Sequence, residues 1–259
     1  MTNKALALAA ARARRLGMEM VFRAGSGHIG GSLSSADILT ELYFEQMHID
    51  PAEPHAPWRD RFVMSKGHCT PALYSVLSLR GYFPQEELEL FRSIAGHMSG
   101  HPDMRHVPGV DMSTGSLGQG ISAAVGMALA GQLDRAGYRV YALLGDGEVE
   151  EGEVWEAAMC AAKYRLDNLC AIVDVNGLQI DGRTADVMPS EPLDEKFDAF
   201  NWHVVKADGH NFDSLRAAFE EARAFSGAPS VILARTVKGK GVSFMENDPG
   251  WHGKAPNAV

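Results

Sequence analysis

Cysteine is scarce in this chain: Cys69, Cys160 and Cys170 are the only three in 259 residues. An odd number cannot all pair within one chain, and no two stand at CxxC spacing. This argues against a disulfide scaffold or a thiolate zinc site, and for free thiols in a reducing compartment, the cytoplasm. Long apolar runs are also missing; none approaches the roughly 20 residues that a membrane span requires. Basic charge is outweighed, with 24 Lys and Arg against 33 Asp and Glu. A formal net charge of -9 argues against the basic surface on which nonspecific nucleic-acid binding depends. There is no internal repeat and no low-complexity segment. What remains is ordinary globular composition, long enough to bury a substantial core, and residues 1–259 read as one domain.

Hydrophobic spacing supplies the elements. Lys4, Arg12, Arg14 and Arg15 precede the first acid, Glu19, in the manner of a transit peptide. Yet Leu6, Ala9, Ala10, Ala13, Leu16 and Met20 recur at helical spacing and read as an ordinary first helix. The run RAGSGHIGGSLSS ends it, and Ser34 or Ser35 is expected to cap a second helix from Ala36 to about Met47. RFVMS reads as a strand, and Pro71 suits the first turn of the next helix. Residues 92–115 hold His and Gly without periodicity and read as a functional loop. From Gly115 onward, continuous apolar strands (YRVYALLG, NLCAIVDV, HVVKAD, SVILARTV) alternate with helices. After the first of these strands, Trp155, Ala158, Met159, Ala162 and Leu166 are expected to form one helical face. The pattern predicts an α/β fold with a parallel sheet covered on both faces, and an irregular tail after Lys238. Ligands in such sheets bind at the carboxyl ends of strands.

Two consecutive strands end in an oxygen-bearing side chain beside glycine: Asp146 in GDG and Asn176 in VNG. Either pair alone is a common turn. Together, at neighbouring strand ends, one carboxylate and one amide oxygen suit a hard cation such as Mg2+, which takes its other ligands from phosphate and water. A backbone carbonyl after Asn176 would add a further ligand. A helix starting near Glu151 would aim its N-terminus at the same place, favouring anions. Of ten histidines, His28, His68, His101 and His252 lie beside glycine in SGHIGG, SKGHCT, SGHP and WHG. Imidazole in such loops can hydrogen-bond phosphate oxygens and move protons near neutral pH. His48, His55, His97, His106, His203 and His210 read as structural or surface residues.

Gly-Asp-Gly followed after 28 residues by Asn176 resembles the thiamine diphosphate fingerprint. SGHIGGSLS, SKGH, GHP, TGSLGQG and WHG together resemble the N-terminal third of transketolases, over essentially the whole chain. The resemblance implies a thiamine diphosphate-binding fold and the transfer of a two-carbon ketol unit from a ketose phosphate to an aldose phosphate. It implies that Asp146, Asn176 and the Leu178 carbonyl hold Mg2+ (or Ca2+), while Gly147, His68 and His252 contact the diphosphate. Gly115 and Leu117 would meet the aminopyrimidine, and Ile180 would pack near the thiazolium. His28, His101 and His252 would bind the donor and relay protons. Glu151 and Glu156 match acids of a subunit interface, whereas Glu148, Glu150 and Glu153 read as solvated or structural.

Three departures stand out. Ile29 replaces a usual proline, Val175 replaces a usual polar residue, and the sequence given stops at Val259. The resemblance therefore implies either a fragment of a full transketolase or, as the favoured expectation, the first subunit of a split one, with the pyrimidine-binding and C-terminal domains and the Glu that activates the cofactor on a separate chain, in a heterotetramer with two copies of each. Other thiamine-dependent chemistry, of the deoxyxylulose-phosphate synthase kind, and a noncatalytic cofactor-binding homologue are the alternatives.

Overall fold

A computed structural model describes residues 1–257. Five strands form one parallel sheet: β1 (Arg61–Met64), β2 (Val140–Gly145), β3 (Leu169–Val175), β6 (His203–Asp208) and β7 (Ser230–Arg235), in the order β1-β2-β3-β7-β6. A two-stranded hairpin, β4 (Leu178–Gln179) and β5 (Gly182–Arg183), follows β3 directly.

The strands are apolar throughout because both faces are covered. Tyr141, Leu143, Cys170, Ile172, Ile232 and Ala234 join a core with α1 (Asn3–Ala24), α2 (Gly30–Glu41), α3 (Thr70–Arg80) and α8 (Phe212–Ala224). The alternate residues Ala142, Leu144, Ala171, Val173, Val231 and Leu233 join another, with α4 (Gln119–Asp134), α5 (Gly152–Lys163) and α7 (Leu193–Ala199). A four-residue helix, α6 (Thr184–Val187), links β5 to α7. Gly120 lets α4 approach β1 closely, since a Cβ there would stand 2.6 Å from the Ser65 Cα. No described helix is long and apolar enough to cross a membrane, and all three cysteines are free.

One local expectation fails, and another holds except at Met159. The second helix starts at Gly30, not Ala36, and it ends in a widened π turn over Leu42–Gln46. Ile29 occupies the cap position without a side-chain bond. Ser35 Oγ donates to the Gly31 carbonyl at 2.6 Å, and Ser34 Oγ lies 2.7 Å from Asp174 Oδ2. Both hydroxyls are thus drawn inward, away from the orphan amides of a helix end. On α5, the buried face is Val154, Ala157, Ala158 and Ala161, with Met159 52% exposed. Small residues permit close packing there, while the bulk of Trp155 turns sideways against Phe197 and Phe200. The 92–115 loop contains no helix or strand. The tail after Lys238 holds one short 3-10 turn, Pro249–Trp251, and its last two residues lie outside the described part.

Candidate active site

The carboxyl ends of β2 and β3 open onto a cleft of about 300 Å³. The sheet brings Asp146 and Asn176 there by register, with Gly145 paired to Asp174. The tail crosses back over the N-terminus of α2, where Gly239 N donates to the Gly30 carbonyl at 3.0 Å, and so delivers Lys238 and His252. Loops before α2, before α3 and within 92–115 add His28, His68 and His101. Gly115, Leu117, Gly147, Leu178 and Ile180 complete the predicted set in the cleft lining. Residues scattered over the whole sequence therefore meet at one place. Glu151 and Glu156 do not line it: both are exposed, one capping α5 and the other on its surface.

The floor is a buried charge network. Asp174, fully buried, takes Lys66 Nζ at 2.5 Å, and Asn176 Nδ2 donates to it at 3.0 Å. Its second oxygen accepts from Thr236 Oγ1. Burial alone would raise the Asp174 carboxyl, but the Lys66 charge and these hydrogen bonds outweigh it and hold its pKa down. Burial alone would likewise lower Lys66, yet Asp174 holds its pKa up. Because Asn176 gives its NH2 to Asp174, its Oδ1 faces the other way, where it accepts from Leu178 N at 3.1 Å.

Asp146 has no such cation. It accepts from Gly177 N at 2.5 Å and Gly147 N at 3.0 Å. Burial and the charge of Asp174 push its pKa up to about 7. A carboxylate kept uncomfortable in this way fits a metal ligand, since a divalent ion would supply the missing charge. The Leu178 carbonyl, the third predicted ligand, already accepts from the Lys238 ammonium at 2.9 Å. A protein cation thus stands against an oxygen expected to meet a metal. One carboxylate, one amide and one carbonyl also explain why no group of three acidic, His or Cys side chains forms a metal cluster among the described residues.

Above this floor the four histidines meet. The His28 ring lies 5.3 Å from His68, 5.5 Å from His252 and 6.3 Å from His101, and His68 stacks on His252 at 5.1 Å. Burial, then neighbouring positive charge, lowers the pKa of all four, with His252 lowered to about 3. They are neutral near pH 7, so each ring offers one donor and one acceptor. His28 Nδ1 is buried with no partner, as expected for an atom reserved for a ligand.

Three polar lining residues escape sequence reasoning. Lys66 sits inside the SKGH motif, so its role was masked by His68; Lys238 and Gln179 carry no local signal. Glu148, in the acidic run after Asp146, is buried, where it accepts from Ser65 Oγ at 2.5 Å and from the Gly118 and Gly145 amides at 3.0 Å. It is structural, bracing the turns on either side of the cleft. The other six histidines stay outside the cleft lining. His210, for example, donates from Nδ1 to Asp37 at 2.7 Å and accepts from Val237 N at 2.9 Å. A larger groove, about 750 Å³, opens beside β6 and β7. Its basic side chains are already paired, Lys206 with Asp194 and Arg235 with Glu191, and it lacks the converging histidines.

Comparison with known proteins shows the family. Residues 5–258 match the family described as transketolase, thiamine diphosphate binding domain. A 6-deoxy-6-sulfo-D-fructose transketolase subunit of a Clostridium species is 52% identical over 233 residues, covering 90% of this chain and 85% of that protein. One of the subunits of an apulose-4-phosphate transketolase from Phocaeicola vulgatus is 42% identical over 258 residues, covering 100% of this chain and 92% of that protein. The crystal structure of a Campylobacter jejuni transketolase superposes with a TM-score of 0.94 at 35% identity, covering 98% of this chain. This chain spans 41% of that one. The chain belongs to the transketolase family, in its thiamine diphosphate-binding part.

Proposed function

We propose that this chain is the diphosphate-holding subunit of a two-chain, cytoplasmic transketolase that moves a two-carbon ketol unit from a ketose phosphate, or a similarly charged ketose, to an aldose phosphate. The observation that carries the reading is the convergence of Asp146, Asn176, the Leu178 carbonyl, two lysines and four neutral histidines on one cleft. Asp146, Asn176 and Leu178 would hold Mg2+, or Ca2+, and His68, His252, Gly147 and Lys238 would meet the diphosphate. Gly115 and Leu117 would take the aminopyrimidine, with Ile180 beside the thiazolium. When bound, thiamine diphosphate supplies the electron sink that lets the ketose carbon–carbon bond break.

This chain's own residues supply proton handling and orientation. His28, with a free Nδ1, and His101 are placed to bind donor hydroxyls and to accept and return a proton. His252 shares its Nδ1 contact with Lys238 at 2.9 Å, and its low pKa keeps the imidazole neutral beside that cation. A partner chain would supply the pyrimidine-binding domain and the activating Glu, in a heterotetramer with Glu151 and Glu156 at the subunit interface. Ile180, 62% exposed, marks a wall that the partner would close.

Ketol transfer is to be measured with this chain alone and with its co-expressed partner. Activity only in the mixture is expected; full turnover by this chain alone would falsify the two-chain reading. His28→Ala should lower turnover by about 10²- to 10⁴-fold while calorimetric binding of thiamine diphosphate persists. Loss of that binding instead would refute the division of roles.

A further inference from the structure

At the amino ends of β2 and β3, the end of the sheet opposite the histidines, a second cleft of about 450 Å³ opens. Three guanidiniums line it: Arg135 caps the end of α4, Arg139 precedes β2, and Arg223 stands in the last turn of α8. Among the described residues none of the three pairs with a carboxylate. Arg139 Nη2 donates to the Ala222 carbonyl at 3.3 Å, and Arg223 Nη2 donates to the carbonyl and Oε1 of Gln46 at 2.8 and 2.9 Å. Both of these charges reach the buried Cys170 thiol, and they oppose the burial that pushes its pKa up to about 12.

Helix C-termini attract cations, and that is reason enough for a basic residue at the end of α8. It does not account for Arg139, which belongs to no helix and whose Nε is buried without a partner. Nor does it suit Arg135. Its backbone is left-handed, φ 52°, where glycine is the unstrained choice, and its side chain makes no hydrogen bond or ion pair among the described residues. The rest of the polar lining needs donors instead. Asp167, the one acid, accepts from Gly227 N at 3.0 Å. Asn168 gives its Nδ2 to the Ala128 carbonyl at 2.9 Å, which leaves its buried Oδ1 without a partner. Buried polar atoms without partners are rare and call for a ligand or a water.

We propose that this cleft is a second ligand site, and that it takes a phosphorylated sugar or polyol. The phosphate meets Arg135, Arg139 and Arg223, whose planar forks suit it through paired N–H donors, and the hydroxyls meet Asp167 and Asn168. The volume lies within the range of small-molecule sites. β2 and β3 run from this cleft to the other: Arg139 and Asp146 flank β2, and Asn168 and Asn176 flank β3. Seven residues of strand separate the two members of the first pair by roughly 20 Å, so the ligand held here lies far from the reacting atoms. The site does not depend on the transketolase reading, since none of its residues lines the histidine cleft.

Calorimetry on the full chain tests it, with ribitol 5-phosphate as the probe because it has no carbonyl and cannot enter ketol transfer. Ribitol and inorganic phosphate are the controls. Ribitol 5-phosphate should bind more tightly than either. Arg135→Gly, which the left-handed backbone accepts without strain, and Arg139→Met should each weaken that binding about 10-fold or more, while His28→Ala leaves it unchanged. Urea unfolding of the two arginine variants checks that both remain folded, and Arg135→Gly should lose no stability. Absence of binding at millimolar probe would overturn the proposal. So would loss of binding in His28→Ala with none in the arginine variants, which would move the ligand to the histidine cleft. Inorganic phosphate bound as tightly as ribitol 5-phosphate would overturn the assignment of Asp167 and Asn168 to hydroxyl groups.

Discussion

On the floor of the cleft, Asp174 and Lys66 have 0% and 2% of their side chains exposed, and the Asp174 carboxylate is bonded to Lys66, Ser34, Thr236 and Asn176. On the rim, Ile180 is 62% exposed, and outside the cleft Arg92, Glu151 and Glu156 face solvent. The floor is finished within this chain; the rim is open to solvent. A buried charge is tolerable only when it is paired and hydrogen-bonded, so the floor must be completed by this chain's own folding. Exposed groups carry no such demand and can wait for a cofactor, a sugar or a partner. Asp146 lies between the two regimes, buried like the floor but lacking a cation like the rim.

Breaking that contrast should produce effects of graded size. Asp146→Ala has the largest expected effect on function: metal-dependent binding of thiamine diphosphate, measured by calorimetry, should be lost. The stability of the ligand-free chain should hardly fall, because the carboxylate removed is already raised to about 7 by burial and Asp174. Wild-type affinity in that variant would sink the metal assignment. Lys66→Met should cost about 3–5 kcal/mol in urea unfolding, since it strands the buried Asp174 charge; a cost below about 1 kcal/mol would show the floor to be far less dry than described.

A pH titration of the ligand-free chain should give a smaller effect. His252, His68, His28 and His101 have folded pKa values below 6.5, so below that pH the unfolded chain binds more protons than the folded one. The histidine contribution should be flat above about pH 6.5 and fall as pH drops toward 3, the folded pKa of His252. Asp146, raised to about 7, works in the opposite sense, so the histidine part is read as the difference between wild type and His252→Ala. His252→Ala should make the fall shallower; an identical slope would rule out His252 as a contributor. Ile180→Ala should move the stability of the isolated chain by no more than about 0.5 kcal/mol, while weakening cofactor binding several-fold in the two-chain enzyme. A large loss of stability in the isolated chain would mean that the rim is already packed.

The sheet was legible in the sequence because continuous apolar strands between amphipathic helices have few other solutions. The glycine-flanked Asp146, Asn176 and four histidines were legible because turn chemistry at a strand end or a loop is local. The start of helix α2 was read six residues late, since Ser34 and Ser35 look like caps until Asp174 and the Gly31 carbonyl are in place. Of the face read after β2, Trp155, Ala158, Ala162 and Leu166 do pack into one core, and only Met159 turns to solvent, because periodicity gives spacing but not the edges of the stripe that meets the sheet.

What the sequence determined by itself was the kind of layer and the identity of the oxygen and imidazole side chains that gather in the cleft, both written in short-range patterns. What only the tertiary structure decided was convergence: that Lys66, Asp174 and Lys238 share one floor, and that Arg92 lies against Ser26 and Gly100 beside two histidines. Those meetings depend on strand register and on a tail crossing back over the start of α2. The reason is physical: the energy that selects them comes from desolvation and from pairing charges far apart along the chain, and neither leaves a mark on the residues next to them.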